Sequence, residues 1–200
     1  MCGIAVVLSA RGDLARGVGV ETTARLRHRG PDAAGALPLH LPWCDGVMHM
    51  TRLAIVDPRR LPCPFEYPYL GISLAYNGEV FNCAELRRAL DDGRPWQSAN
   101  DGEVIARAWE RWGPDCLHEI NGMFAFVLAD LRTGRLMLAR DRAGEKPLYY
   151  ATGPGRLYAA SEIKALFRHP QIAPALDAAR IPESLANRFV TGEHTAFANV

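Results

Sequence analysis

The feature of the sequence that most constrains the fold is a short apolar run near the amino terminus. Residues 4–8 read Ile-Ala-Val-Val-Leu, which is rich in β-branched side chains and too short for a helix of useful length. A continuous apolar run of this length is typical of a buried strand. The chain is therefore predicted to open inside a sheet.

Six further segments have the composition of strands. They are residues 47–56, 71–76, 123–129, 135–139, 147–151 and 156–160. Several are joined by turns that contain glycine, such as Thr133-Gly134 and Gly153-Pro154-Gly155. This many hairpins predict antiparallel pairing.

Helices are predicted between the strands. Asn82 is a suitable N-cap for one helix, and Asn100 is a suitable N-cap for a second, in which Glu103 takes the reciprocal capping position. After Asn100, apolar residues recur on one stripe, and Glu103 can pair with Arg107 four residues on. Further helical patterns cover residues 20–27, 162–167 and 178–189. Helices that can cover two faces of paired strands predict a layered α+β domain.

Composition and charge narrow the range of ligands. Of the 200 residues, 48% are hydrophobic and 22% are charged, as in ordinary globular proteins. The 23 lysines and arginines nearly balance the 22 aspartates and glutamates, which removes the general electrostatic argument for nucleic acid or an anionic membrane as partner. No stretch approaches the roughly 20 apolar residues of a membrane span. A small ligand is therefore expected.

The cysteines predict neither a disulfide framework nor a metal site. The chain has five, an odd number, with no Cys-x-x-Cys pair and no histidine spacing suited to zinc. Free thiols in a reducing compartment fit this pattern best. The first apolar run also lacks the preceding basic region of a signal peptide, so a cytoplasmic protein is expected.

Cys2 is the candidate nucleophile. If Met1 is removed, Cys2 carries both a thiol and a free α-amine, whose pKa of about 7.7–8.0 suits a general base near neutral pH. The alternative is that Cys2 is a small buried apolar residue at the start of a strand.

Nine segments, in order along the chain, resemble the class II glutamine amidotransferase domain of glutamine-dependent asparagine synthetases. They are CGI at 2–4, RHRGPD at 27–32, RLAIVD at 52–57, YNGE at 76–79, Asn82 with Glu85 and Leu86, NDGE at 100–103, NGMFAF at 121–126, RDRAGEKPLYY at 140–150 and SEIKAL at 161–166. The resemblance implies an N-terminal nucleophile hydrolase fold, a four-layer αββα sandwich of two mainly antiparallel sheets. It also implies a glutaminase domain over residues 2–168.

The same resemblance implies how glutamine would be attacked. Cys2 would attack the side-chain carbonyl, while the Asn77 side-chain amide and the Gly78 backbone N–H would stabilise the oxyanion. An Asn-Gly pair alone is equally typical of a type I′ hairpin turn, which is the alternative for these two residues.

The charged ends of glutamine require opposite charges. Arg52 suits the α-carboxylate, since a guanidinium binds carboxylates bidentately, and Asp101 with Glu79 suits the α-ammonium group. The alternatives are a solvated strand residue for Arg52 and an acid in the first turn of a helix for Asp101. The resemblance extends the predicted glutamine site to the whole run Leu53, Ala54, Ile55 and Val56.

Other segments are assigned less directly. Arg29 and Met123 are predicted near an ammonia exit, although Gly30-Pro31-Asp32 is also a good turn. Residues 58–68 contain four prolines, which predicts a surface loop, and lack the Gln-Pro of the family's connection. Met50 stands where the family commonly has histidine.

The resemblance also implies a second domain, a synthetase domain, most of which is not in this sequence. Residues 169–200 resemble a linker and the start of a truncated synthetase domain, but the Ser-Gly-Gly-x-Asp-Ser loop of that domain is not in the sequence. No cofactor is expected in the glutaminase domain, and ATP, Mg²⁺ and aspartate would bind in the absent domain of the same polypeptide. The predicted function is hydrolysis of glutamine to supply ammonia for asparagine synthesis. A different amidation acceptor, a degenerate scaffold and a homodimer remain open.

Overall fold

The strands and helices follow the predicted alternation closely. The computed structural model describes residues 1–11, 20–55, 57, 62–169 and 171–200. Its strands are β1 (Gly3–Ala10), β2 (Ala33–Leu41), β3 (Cys44–Arg52), β4 (Phe65–Tyr67), β5 (Ile72–Val80), β6 (Gly122–Asp130), β7 (Arg135–Arg140), β8 (Tyr149–Gly153) and β9 (Arg156–Ala160). Its α-helices are α1 (Val20–Leu26), α2 (Cys83–Ala89), α3 (Asp101–Trp112), α4 (Cys116–Glu119), α5 (Ile163–Leu166) and α6 (Ile181–Asn187).

The strands form two antiparallel sheets. The first has the order β2-β3-β1-β9-β8, and the second has the order β4-β5-β6-β7. Strand β1 is therefore central, with β3 on one side and β9 on the other. Because side chains alternate along a strand, Ile4, Val6 and Leu8 enter the core between the sheets, whereas Ala5 and Val7 face outwards.

Helices cover the outer face of each sheet. Helices α1 and α5 pack on the outer face of the first sheet, where Leu26, Ala165 and Leu166 meet Ala5 and Val7. Helix α3 contacts β4 and β5 of the second sheet, and α2 packs beside α3. The four-layer αββα sandwich is confirmed.

Two strands were not predicted. Strand β2 contains Gly35 and Pro38, and its inward-facing residues are only half-buried until Leu39 and Leu41, which weakens the apolar signal. Strand β4 lies within the segment predicted as a surface loop and pairs with β5 at the sheet edge, where prolines on either side of a short strand are tolerated. Residues 58–61 of that loop lie outside the described residues.

The two predicted N-caps had different outcomes. The Asn100 side chain accepts a hydrogen bond from the Gly102 N–H at 2.8 Å, so the cap of α3 is confirmed. Glu103 does not return this bond; its carboxylate accepts from the backbone N–H groups of Gln97 and Ser98 instead. The prediction that Asn82 caps α2 through its side chain is also wrong, since that amide bridges to the segment before β6.

The carboxyl-terminal segment packs against the first sheet's helical layer. Leu176 forms an isolated antiparallel β-bridge with Phe197, and the centres of the Phe197 and Phe167 rings are 4.8 Å apart. The division into residues 2–168 and 169–200 stays a prediction. None of the helices in the described segments combines the length and the apolar character needed to span a membrane.

Candidate active site

A cavity of about 100 Å³ lies where β1, β3 and β5 approach the start of α3. We call it the Cys2 cavity. Its walls are formed by Met1, Cys2, Met50, Arg52, Leu53, Ile55, Phe65, Tyr76, Asn77, Gly78, Glu79, Asn100, Asp101, Met123 and Lys146. The fold therefore brings together predicted site residues from five separate segments of the chain.

The Cys2 thiol is held against the segment that follows β3. The Leu53 N–H points to the Cys2 sulfur at 3.4 Å, and that sulfur lies 3.7 Å from the Leu53 carbonyl oxygen. Burial raises the pKa of the Cys2 thiol above its usual value, although the Leu53 contact and the nearby charges of the N-terminus and Arg52 oppose that effect. A base is therefore needed to make Cys2 nucleophilic near neutral pH.

Arg29 lies beside the Cys2 cavity and holds the backbone of the candidate nucleophile. Its Nε donates to the Cys2 carbonyl oxygen at 3.1 Å, while Nη1 forms an ion pair with Glu162 at 3.0 Å. Glu162 also contacts His28 Nε2 at 2.8 Å and Lys164 Nζ at 2.7 Å. Burial raises the pKa of Glu162, but these hydrogen bonds outweigh burial and lower its pKa to about 2.

Asn77 and Gly78 lie inside a strand and not in a hairpin turn. Within β5 they pair with Ala125 and Phe124 of β6, so the type I′ alternative is wrong. The Asn77 side chain is 1% exposed, and its amide nitrogen has no hydrogen-bond partner among the described residues. Buried polar groups are normally paired, so this donor in the cavity wall is an exception.

Arg52 ends β3 and is 2% exposed, so it is not a solvated strand residue. Its Nη2 donates to the Asp57 carbonyl oxygen at 2.6 Å, and its guanidinium lies 5.7 Å from the centre of the Phe65 ring. A buried guanidinium in a small cavity favours an anionic ligand.

Asp101 lies opposite, in the first turn of α3, and is 4% exposed. Its Oδ2 accepts from the Tyr76 hydroxyl at 2.8 Å and from the Val80 N–H at 2.9 Å. Burial raises the pKa of Asp101 above its usual value, against the lowering effect of these two hydrogen bonds. Its position fits both the helix-terminus alternative and a place in the cavity wall.

Comparisons with known proteins agree with this geometry. A family model described as glutamine amidotransferase domain matches residues 1–200. The chain belongs to the glutamine amidotransferase domain family. Asparagine synthetase [glutamine-hydrolyzing] from Asparagus officinalis is 41% identical over 169 residues, and asparagine synthetase [glutamine-hydrolyzing] 2 from Oryza sativa subsp. japonica is also 41% identical over 169 residues. In each case the match covers 83% of this chain but 28% of the relative.

Solved structures share the fold of this amidotransferase domain. Glutamine phosphoribosylpyrophosphate amidotransferase from B. subtilis, in complex with ADP and GMP, superposes with a TM-score of 0.66 at 22% identity, over 84% of this chain and 43% of that one. A structure described as the allosteric regulatory enzyme of purine biosynthesis gives a TM-score of 0.64 at 20% identity, with the same coverage.

The amidotransferase domain places most predicted glutamine-site residues in the cavity wall, but not all. Ala54 does not line the cavity, and its N–H donates to Asp32 at 2.8 Å. Ile55 lines the cavity and is otherwise exposed, whereas Val56 lies outside the described residues. Of the two residues predicted near an ammonia exit, Met123 lines the cavity and Arg29 lies beside it.

Six residues of the cavity wall were not among the predicted site residues of the amidotransferase domain: Met1, Met50, Phe65, Tyr76, Asn100 and Lys146. Tyr76, Asn100 and Lys146 occur in the motifs that carry the resemblance. Phe65 was placed in a loop, and its strand brings the ring over Arg52. No signal in the sequence linked Phe65 to Arg52, because 13 positions separate them along the chain.

Proposed function

We propose that this domain hydrolyses glutamine to glutamate and ammonia, with Cys2 as the nucleophile after removal of Met1. The observation that carries the proposal is the buried, unpartnered Asn77 amide nitrogen in the same cavity as the Cys2 sulfur. A preorganised donor beside a thiol is the arrangement that acyl transfer requires.

The first step forms a bond between the Cys2 sulfur and the amide carbon of glutamine. The α-amine of Cys2 takes the thiol proton and returns it to the departing nitrogen, so that ammonia leaves and a thioester remains. The negative charge on the carbonyl oxygen develops toward Asn77 and the Gly78 N–H. Water then attacks the thioester, which releases glutamate and restores the thiol.

The charges in the cavity wall orient the substrate. Arg52 binds the α-carboxylate, and Asp101 with Glu79 binds the α-ammonium group. Arg52 and Asp101 are buried and are held by neighbouring hydrogen bonds, so the cavity presents fixed charges of opposite sign. An amide that lacks either α-charge would make fewer of these contacts.

We propose that the ammonia serves a synthetase domain on the same polypeptide. The chain spans 28% of the length of its asparagine synthetase relatives, which supports a longer protein that binds ATP, Mg²⁺ and aspartate elsewhere. Residues 169–200 would begin that domain. Met123 in the cavity wall and Arg29 beside it would then lie on the route by which ammonia leaves.

The proposal is tested with Cys2→Ala, matched to Cys83→Ala. Both cysteines are half-buried free thiols, but Cys83 begins α2 and does not line the Cys2 cavity. We expect Cys2→Ala to release no glutamate from glutamine while its thermal unfolding is unchanged, and Cys83→Ala to keep its activity. Intact mass establishes beforehand that Met1 is absent. Hydrolysis by Cys2→Ala, or inactivity of the processed parent chain, would contradict the proposal.

A further inference from the structure

Asp57 joins the two halves of the glutamine site. We infer that it is a positioning residue which ties Arg52 to the segment that carries Asp101, and that this tie makes the domain selective for amides with an α-ammonium group. The inference rests on the proposed function, because it takes Arg52 and Asp101 as the groups that bind the two α-charges of glutamine.

Two hydrogen bonds carry the inference. The backbone carbonyl oxygen of Asp57 accepts from Arg52 Nη2 at 2.6 Å, and its carboxylate Oδ2 accepts from the Ala99 N–H at 3.1 Å. Asp57 itself is 8% exposed. The backbone of Asp57 therefore contacts Arg52, and its side chain holds Ala99, which lies two positions before Asp101.

The segment held by Asp57 is firmly attached to α3. Glu103, on the first turns of α3, accepts from the Ser98 N–H at 2.7 Å and from the Gln97 N–H at 3.0 Å. The Asn100 cap follows directly. Ala99 is therefore linked through its neighbours to the start of α3, where Asp101 lies.

The backbone of Asp57 also suits this role. Its φ of 52° lies in the left-handed region, which aspartate and asparagine adopt more readily than most residues. Loss of the side chain leaves the carbonyl contact to Arg52 in place and removes the bond to Ala99. The ammonium side of the site should therefore loosen while the carboxylate side remains.

The test measures binding in a Cys2→Ala background, so that no substrate is consumed. The probes are glutamine and 4-carbamoylbutanoate, which has the same chain, amide and carboxylate but no ammonium group. We expect Asp57→Ala to raise the Kd of glutamine about tenfold, equivalent to ~1.4 kcal/mol, and to leave the Kd of 4-carbamoylbutanoate within about twofold.

Three further variants separate the causes. Asp57→Gly also lacks the carboxylate but accepts a positive φ without strain, so it should match Asp57→Ala. Asp57→Asn retains an acceptor oxygen and should bind glutamine as the parent does. Asp91→Ala is the matched control, because Asp91 makes a comparable side-chain bond to the Gly93 N–H at 3.1 Å in the same α2–α3 connection and is exposed.

Several results would overturn the inference. The inference fails if the Kd of glutamine is unchanged in Asp57→Ala, or if it rises in Asp57→Ala but not in Asp57→Gly. It also fails if the Kd values of both probes rise equally. In the chain that retains Cys2, the same variants should raise KM with kcat nearly unchanged, because contacts to the α-groups are made equally in the ground and transition states. If that chain does not hydrolyse glutamine while the binding pattern holds, the proposed function fails and the positioning role stands.

Discussion

At the scale of a single residue, Asn77 is the group that the proposed mechanism places against a developing charge. Its amide nitrogen is buried without a partner among the described residues, although desolvating such a donor costs free energy. A fold bears that cost most readily where a ligand supplies the missing acceptor. The developing oxyanion of glutamine hydrolysis is such an acceptor, and it is strongest in the transition state.

Replacing Asn77 by alanine should therefore lower kcat more than it raises KM. We expect kcat for glutamine hydrolysis to fall by about 10²–10³-fold, as for the loss of one oxyanion donor elsewhere. Steady-state kinetics on the processed protein measure this. Asn82→Ala is the control, because the Asn82 amide is engaged with Glu119 and Asn121 away from the cavity. A fall in kcat of similar size in both variants would refute the assigned role.

At the scale of elements, Gly78 shows why the strand pairing of β5 and β6 constrains the cavity. A Cβ atom on Gly78 would lie 2.2 Å from the Met123 carbonyl oxygen and 2.7 Å from the Phe124 Cα. The close approach is to the neighbouring strand, so the glycine is required for packing whatever the ligand. Met123, which lines the cavity, is displaced by any bulk added at residue 78.

Gly78→Ala is accordingly expected to destabilise the fold by about 1–3 kcal/mol, as in other overpacked interiors. Urea denaturation followed by circular dichroism gives the free energy of unfolding. Gly153→Ala provides the comparison, because nothing lies within 4 Å of a Cβ added there. That variant should remain within about 0.5 kcal/mol of the parent. Equal free energies of unfolding for the two variants would contradict the prediction, because they would show that the β5–β6 contact adjusts to the added methyl group.

At the scale of the whole molecule, two buried histidines lie where the first sheet meets the helical segments that cover it. His49 lies on β3, and its Nδ1 is hydrogen-bonded to the Thr23 hydroxyl of α1 at 2.9 Å. His169 follows α5, and the centre of its ring lies 4.5 Å from the centre of the Tyr158 ring of β9. Burial lowers the pKa of each to about 4, with a further contribution at His49 from His169. Both are therefore neutral in the folded protein near pH 7.

These shifts predict loss of stability on acidification. The folded pKa of about 4 lies below the unfolded value of about 6.5, so protonation favours the unfolded chain. The contribution of these two histidines to the free energy of unfolding should be complete above pH 6.5 and should fall progressively as the pH drops toward 4. Urea midpoints at pH 7.5, 5.5 and 4.5 measure it. His49→Gln should weaken the dependence of the urea midpoint on pH, whereas the control His118→Gln, at an exposed residue, should not. The same dependence on pH in both variants would refute the role assigned to His49.

Local patterns predicted much of the architecture. Strand β1 and the stripe on α3 follow from apolar runs and from helical spacing, because both signals act between near neighbours. Strand β2 was missed, because its alternate residues are exposed and a glycine and a proline interrupt the pattern. Glu103 pairs with Arg107 as predicted. Its predicted capping bond is wrong, because capping rules consider only its own helix and its carboxylate also binds the loop before that helix.

The amino-acid order by itself predicted a layered α+β domain and the candidate nucleophile Cys2, and the resemblance that it carries implied the αββα class and the residues of the predicted glutamine site. Only the tertiary structure decided that Asn77 keeps an unpartnered donor and that Asp57 joins Arg52 to Ala99. The physical reason is separation along the chain. The Cys2–Leu53 and Asp57–Ala99 contacts join residues 51 and 42 positions apart. Pairing of β1 with β3 brings the first two together, and the second contact joins the segment after β3 to the segment before α3.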